Sequence, residues 1–459
     1  MNNTGGYKVF MEDGYIVKRC GRDEYPDFLD AANNAFNYGA ENFWFQKRMH
    51  NCTPYPDLAT DLQINRHVIA IDRASGAVMG GVGAYPLDVA ASEDMPGGRK
   101  FTIPSVGIGQ VSCLKEYRGR GVMTSALTKI LRESAENGAA IAYLGGDRYR
   151  YGRFGFDYGG GALYLDFRYE RLKKAAAGYS GNAAAGAPDG TPSIGDLEVD
   201  IRKAGETDSD YLDNLYKLLP SCVQRSREYW KMQLNYSMFA WNIGRAERPG
   251  GATCSVGAED VSGGGGDKAG TEGDSGGCGA AGAGFYTDGN GAASGVARAF
   301  GNNYPPGCAF MAYKIDDAGR IAEIYGDPDV ALTMLLRHME SHALDKATVS
   351  LPYTPVSGGV FYKKLISASS RFTAATCGMN LIAILNPERL YGILEPVIKG
   401  TGMCPGSDEE KLALLRALLG SPGHPGTIYP IVSAGGKTAV NQGIYVRPLV
   451  FWVSDSDNV

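Results

Sequence analysis

The residues best suited to chemistry are four in a row, Arg118-Gly119-Arg120-Gly121, here called the RGRG loop. They follow an apolar, β-rich segment that ends at Leu114, and they precede Val122, where apolar residues begin to recur at helical spacing. The loop therefore lies at a predicted helix N-terminus. The N–H groups there lack helical partners and form the positive end of the helix dipole. Such a loop can hold a phosphate or pyrophosphate, and its glycines let a ligand approach the backbone. A solvated basic turn is the alternative.

A second candidate follows the next predicted strand, Ala139 to Leu144, which leads into GGDRYRYGRFGF. Tyr151 opens the YGRFGF turn. A phenol with an ordinary pKa of about 10 is protonated at neutral pH and can act as a general acid. The alternative is an aromatic residue that packs under the turn, as we expect of Tyr149, Phe154 and Phe156.

These residues must be positioned by a sheet. Hydrophobic periodicity predicts a helix from Glu24 to Phe36, with Phe28, Leu29, Ala32 and Phe36 on its buried face. Strands are predicted at Tyr15–Arg19, His67–Asp72, Ala77–Tyr85 and Ile108–Leu114. We therefore expect an α/β (α+β) fold in which helices cover a mixed sheet, with the first domain closing near Tyr169.

The order of strand, RGRG loop, helix, strand and Tyr-bearing turn resembles motif A of the GNAT acetyltransferases, whose pattern is Arg/Gln-x-x-Gly-x-Gly/Ala. Arg118 and Gly121 match the first two fixed positions, whereas Met123 stands where Gly or Ala is usual. The YGRFGF ending narrows the resemblance to the Eis-like (enhanced intracellular survival) branch. It implies an acetyl-CoA-dependent N-acetyltransferase acting on a primary amine, which could be a small amine, an aminoglycoside-like polyamine or a lysine side chain.

The resemblance also implies roles for individual residues. Tyr151 would be the general acid, and the terminal carboxylate of Val459 would be the base, although an ordinary frayed terminus is the alternative there. The backbone of Val111 and Cys113 would pair with the pantetheine arm and donate to the thioester oxygen. The pyrophosphate would bind at Arg118, Gly119, Arg120, Gly121 and Val122. The candidate acceptor-binding residues are Phe36 and Trp44.

The same resemblance predicts the domain organisation. It comprises an N-terminal GNAT fold (1–170), a second GNAT-like fold without a cofactor motif (196–370) and a sterol-carrier-like C-terminal domain (371–459). Between the first two, a linker (171–195) is predicted, because Ala175 to Gly195 has too few large apolar residues to pack and is typical of a linker or mobile loop. Within the second fold, 14 of the 35 residues from Gly250 to Gly284 are glycine, which predicts a disordered insertion rather than a phosphate cradle. The alternative function is a non-catalytic acyl-CoA or lipid-binding protein that retains the fold.

Composition narrows the remaining classes. A net charge of −5 argues against non-specific nucleic-acid binding. No apolar run approaches the roughly 20 residues of a membrane helix, and the N-terminus lacks a signal-peptide core, so we expect a cytoplasmic protein without a membrane partner. The resemblance implies a homo-oligomer, with a hexamer as the expected form.

The spacing of the cysteines and histidines does not predict a metal site. Nine scattered cysteines without a C-x-x-C pair indicate reduced thiols, and Cys113 is predicted to be a packed strand residue rather than a nucleophile. His338 and His342 stand at i and i+4 on a predicted helix but do not form H-E-x-x-H. A surface or packing role is favoured for that pair.

Overall fold

The computed structural model describes residues 10–12, 14–36, 60–94, 98–181, 197–236, 239–246, 306–354, 359–375, 380–420 and 449–450. Their strands form two large sheets and one small sheet. The predicted α/β (α+β) fold is therefore confirmed. No helix in the described ranges combines the length and the apolar character needed to cross a bilayer.

The first sheet contains most strands of the N-terminal region and one strand from residues 380–384. In spatial order these are Phe10–Glu12, Tyr15–Arg19, His67–Asp72, Val78–Pro86, Ser105–Cys113, Ile141–Gly145, Asn380–Ile384 and Asp157–Tyr158. The second sheet, in order, contains Val199–Lys203, Phe239–Ala246, Cys308–Lys314, Asp317–Gly326, Lys346–Pro352, Ala162–Arg168 and Arg371–Ala375. The small sheet joins Cys222–Val223, Val89–Glu93, Lys100–Ile103 and Leu449–Val450.

The helices lie on the faces of these sheets. They are Tyr25–Ala35, Asp61–Ile64, Val122–Glu136, Arg148–Tyr151, Tyr169–Gly181, Ser209–Tyr216, Arg227–Tyr236, Pro328–Ser341, Gly359–Ala368, Pro387–Thr401 and Asp408–Leu418. Short 3₁₀ turns lie at Lys115–Tyr117, Gly152–Phe154 and Glu206–Asp208.

Strand alternation sets the two cores of the first sheet. Val68 packs in one cluster with Leu127 of helix Val122–Glu136, whereas its neighbour Ile69 packs on the opposite face with Phe28 of helix Tyr25–Ala35. Successive side chains of a strand point to opposite faces, so one strand serves both cores. The apolar face of the N-terminal helix is confirmed at Phe28, Leu29 and Ala32, which are buried.

The two large sheets exchange strands: the first contains one strand from the C-terminal region, and the second contains one strand from the N-terminal region. Asn380–Ile384 lies antiparallel between Ile141–Gly145 and Asp157–Tyr158 of the first sheet. Ala162–Arg168 lies antiparallel between Lys346–Pro352 and Arg371–Ala375 of the second. The sheets thus cross the boundaries predicted near residues 170 and 371, while the division into three domains stays a prediction.

Several local expectations need correction. Phe36 is not part of the buried face: it follows the last helical residue as the C-cap and is 42% exposed. Ser407 caps its helix, and the Glu410 carboxylate accepts from the N–H of Gly406. Cys308 is disulfide-bonded, so the expectation of reduced thiols is wrong there. The insertion 250–284 lies outside the described residues.

The two histidines contact each other and the backbone, as expected for a packing role. His338 Nε2 lies 2.8 Å from the Ala318 carbonyl oxygen, and the His338 and His342 rings are 4.3 Å apart. No group of three His, Cys, Asp or Glu side chains in the described ranges is placed to hold a metal ion.

Candidate active site

A wedge opens in the middle of the first sheet. The strand Ser105–Cys113, here called the motif strand, pairs in parallel with Ile141–Gly145 only over its first three residues. On its other side it pairs with Val78–Pro86 as far as Cys113. From Ile108 onward, no described strand pairs with the side that faces Ile141–Gly145. An unpaired strand edge of this kind can bind an extended ligand as an added strand.

The motif strand is also bulged beside this wedge. Gln110 and Val111 together lie opposite a single residue, Val82, of the neighbouring strand. Gln110 has a φ of 47°, a left-handed conformation that is uncommon outside glycine. The bulge therefore takes part of the backbone out of the ladder at the middle of the site.

The RGRG loop leads from the motif strand into helix Val122–Glu136. Gly119 and Gly121 have φ angles of 83° and 80°, which explains why glycine occupies both positions. Gly121 is the N-cap residue, and no side chain caps the helix. Across the described part of the chain, the N–H groups of residues 119–124 have no hydrogen-bond acceptor. The loop therefore presents consecutive free donors at the positive end of a 15-residue helix.

Three arginines lie near these donors, and one of them is paired with a carboxylate. Arg120 is held back by Asp72, with Nη1 3.3 Å from Oδ2. Arg118 is exposed and makes no ion pair with any described residue. Arg153 Nη2 donates to Thr124 Oγ1 across 3.0 Å, which brings the YGRFGF turn to the first turn of the helix. Sequence reasoning missed Arg153; its only signal was its place two residues after Tyr151.

Tyr151 lies on the same face of the sheet as this helix. It is 6% exposed and forms an edge-to-face contact with Phe156, with ring centroids 6.2 Å apart. Burial raises the pKa of the Tyr151 phenol above its ordinary value, so the hydroxyl stays protonated. Gly146 makes room for the ring, since a Cβ there would lie 2.8 Å from Tyr151 Cε2. Tyr149 does not pack as expected, because it is 96% exposed.

Two residues of the motif strand pack against the same hydrophobic cluster as Tyr151. Val111 and Cys113 are half-buried and pack against the cluster that contains Tyr151 and Phe156. Burial raises the pKa of the Cys113 thiol, which keeps it protonated and disfavours a nucleophilic role. The structure thus brings together the RGRG loop, the two strand residues and Tyr151. Phe36 is exposed at the end of the N-terminal helix, and Trp44 and Val459 lie outside the described residues.

Comparison with known proteins agrees with this geometry for the N-terminal third. Residues 17–159 match the family model described as the acetyltransferase (GNAT) domain. The sequence matches no curated protein.

Similar solved structures include a GCN5-related N-acetyltransferase from Kribbella flavida, with 12% identity, TM-score 0.47, and coverage of 85% of this chain and 74% of that one. A GCN5-related N-acetyltransferase from Anabaena variabilis has 11% identity, TM-score 0.47, and coverage of 82% and 74%. Eis1 from Mycobacterium abscessus has 10% identity, TM-score 0.45, and coverage of 83% and 76%. By this match, residues 17–159 are similar in sequence to a GNAT acetyltransferase domain.

Proposed function

We propose that the protein is an acetyl-CoA-dependent N-acetyltransferase that transfers acetyl directly to a primary amine. The observation that carries this proposal is the uncapped helix N-terminus at the RGRG loop, which lies at the end of the wedge-forming motif strand. The free N–H groups match a pyrophosphate, and the unpaired strand edge matches an extended amide-containing arm. Acetyl-CoA contains both parts in one molecule.

The residues present fit that co-substrate. Gly119 and Gly121 carry no side chain that would block the approach of a phosphate to the backbone. Arg118 and Arg153 add positive charge on either side of the free donors. Met123 stands where the family pattern has Gly or Ala. It is the second residue of the helix, so it lies after both glycines of the loop.

The reaction needs a proton for the leaving thiolate. The amine nitrogen forms a bond to the acetyl carbon, and the bond from that carbon to sulfur breaks. Tyr151 donates its phenolic proton to the sulfur, a role supported by its raised pKa, which keeps it protonated, and by its position beside the wedge. The nitrogen loses a proton as the amide forms, and that proton restores the phenol. The backbone of Val111 and Cys113 would donate to the oxygen that gains charge.

The acceptor ammonium must also lose a proton. By the family resemblance, we assign this step to the terminal carboxylate of Val459. Leu449 and Val450 pair with Glu93 and Ser92 of the small sheet, which anchors the chain nine residues before its last residue. Phe36 and Trp44 are our candidates for the acceptor wall. By the resemblance, we further propose a sterol-carrier-like C-terminal domain and a homo-oligomer in hexameric form. We also propose a cytoplasmic location.

The proposal is tested by CoA-thiol release from acetyl-CoA against a panel containing small amines, an aminoglycoside and a lysine peptide. We expect amine-dependent release from at least one class. Binding of acetyl-CoA without release with any amine would instead favour the alternative, a non-catalytic acyl-CoA-binding protein. Extending the chain beyond Val459 moves the carboxylate without changing a side chain, and full turnover of that variant would remove Val459 from the mechanism.

A further inference from the structure

The bulge at Gln110 requires support. Of the described residues, only Gln110 and Ala343 have a positive φ without being glycine. A side chain in the left-handed region crowds its own backbone, and such residues persist where the surrounding structure holds them. Gln110 is 7% exposed, so its side-chain amide also needs a buried hydrogen-bond partner.

That partner begins a chain of buried polar groups. The Gln110 side-chain amide is hydrogen-bonded to the Tyr85 hydroxyl. The same hydroxyl lies 3.0 Å from His67 Nε2, and His67 Nδ1 lies 3.0 Å from the Ile64 carbonyl oxygen. Tyr85 is 1% exposed and His67 is fully buried. The bulge is thereby connected to the end of helix Asp61–Ile64.

The chain is closely packed. A Cβ at Gly83 would overlap both the Gln110 amide and the Tyr85 hydroxyl, so glycine makes the contact between them feasible. The His67 ring packs at centroid distances of 4.9 Å from Phe28 and 5.4 Å from Tyr25. The three polar side chains therefore have little freedom to move separately.

We propose that Gln110 is a positioning residue: the buried chain Gln110–Tyr85–His67 holds the bulged backbone in the shape that faces the wedge. This inference rests on the proposed function, which places the acetyl carbonyl in the wedge. A bulge leaves a backbone group outside the ladder, and an N–H there can stabilise the oxygen that gains charge during transfer. The chain would act on catalysis through backbone geometry and not by touching the substrate.

The sharpest test compares two truncations of the same side chain. Gln110→Ala removes the amide but keeps a Cβ that resists a positive φ, whereas Gln110→Gly removes the amide and adopts that φ freely. We expect Gln110→Ala to lower kcat by about 10- to 100-fold, the range for a small misplacement of reacting groups. Gln110→Gly should regain most of that loss, and acetyl-CoA affinity should not change in either variant.

Tyr85→Phe tests the link to His67. It should lower kcat in the wild-type background but add nothing in the Gln110→Gly background, because that backbone no longer depends on the chain. Tyr362→Phe is the matched control, since Tyr362 is 5% exposed and belongs to the second sheet's core. Thermal melting of all variants shows whether each one is folded.

The inference is overturned if Gln110→Gly is no faster than Gln110→Ala, or if Tyr85→Phe behaves like Tyr362→Phe. Amide hydrogen exchange of residues 108–113 without any ligand separates this failure from failure of the proposed function. Faster exchange in Tyr85→Phe and Gln110→Ala would support the holding role even if no amine released CoA thiol, and would then identify the proposed function as wrong. Unchanged exchange would overturn the holding role directly.

Discussion

Each large sheet contains a parallel pair of strands connected through a helix, and the two connections are built differently. In the first sheet, eight residues lie between the motif strand and helix Val122–Glu136, and no side chain caps that helix. In the second sheet, Asp327 alone separates strand Asp317–Gly326 from helix Pro328–Ser341. The topology is shared, so the difference lies in what occupies the helix N-terminus.

Asp327 fills the place that an anion would take. Its carboxylate accepts from the N–H groups of Asp329 at 3.0 Å and Gly307 at 2.8 Å, and the next residue, Pro328, has no N–H to offer. Asp327 is 1% exposed. The second helix therefore satisfies its own dipole, whereas the first leaves free donors for a ligand. The comparison shows that the same strand–helix–strand connection can leave its helix N-terminus free or close it with a carboxylate cap.

Tyr151→Phe should produce the largest effect, because it removes the hydroxyl that would protonate the leaving thiolate. We expect turnover to fall by about 10²–10⁴-fold, the usual range for general acid catalysis, with acetyl-CoA affinity retained. Steady-state CoA-thiol release measures this. Tyr149→Phe is the matched control, since Tyr149 is 96% exposed on the same turn. Turnover of Tyr151→Phe within about threefold of wild type would place the acid elsewhere.

The two buried histidines extend the comparison to stability. Burial lowers the pKa of His67 to about 4, and it also lowers the pKa of His338 in the second sheet's unit. A histidine whose pKa is lower in the folded state makes its full contribution to the free energy of unfolding above its unfolded pKa of about 6.5. That stability is lost as pH falls toward the folded pKa. His67 should therefore contribute a loss of about 3 kcal/mol between pH 6.5 and pH 4.

Urea unfolding across that pH range measures the slope for the two histidines. His67→Gln should flatten the decline more than His338→Gln, because His67 is fully buried and His338 is 5% exposed. Equal flattening by the two substitutions would contradict the difference in burial.

Asp327→Ala should remove the cap of helix Pro328–Ser341 at a modest cost in stability. Loss of an N-cap typically lowers the free energy of unfolding by about 1 kcal/mol, and the buried N–H of Gly307 also loses its acceptor. Acetyl-CoA affinity and turnover should stay unchanged, because no glycine loop replaces the cap. Urea unfolding measures the loss of stability, and calorimetry measures acetyl-CoA affinity. A loss of acetyl-CoA binding would show that the N-terminus of helix Pro328–Ser341 takes part in the site.

The smallest effects should come from the arginines around the RGRG loop. Arg153→Ala and Arg118→Ala should each weaken acetyl-CoA binding by about two- to fivefold, as expected for exposed charge pairs. Arg120→Ala is the control and should change affinity less, because Asp72 already holds its guanidinium. The differences should shrink at high salt. A larger loss for Arg120→Ala than for Arg153→Ala would reverse this assignment.

Much of the fold was predictable because its signals are local. The motif helix and the glycine loop at its N-terminus depend on residues a few positions apart, and the structure confirms them. The exchange of Ala162–Arg168 and Asn380–Ile384 was not predictable, since a strand's periodicity does not name its partner. Of the candidate site, the loop and Tyr151 came from sequence. Arg153 and the chain behind Gln110 depend on contacts between distant residues.

The central claim is that acetyl-CoA binds once per chain, at the RGRG loop. Isothermal titration calorimetry of wild type, Gly121→Val and Asp327→Asn tests this most directly. Val is strained at the φ of 80° that Gly121 adopts and would crowd the free donors. We predict one equivalent in the wild type, affinity at least tenfold weaker in Gly121→Val, or about 1.4 kcal/mol, and no change in Asp327→Asn. A second equivalent, or unaltered affinity in a folded Gly121→Val, would contradict the account.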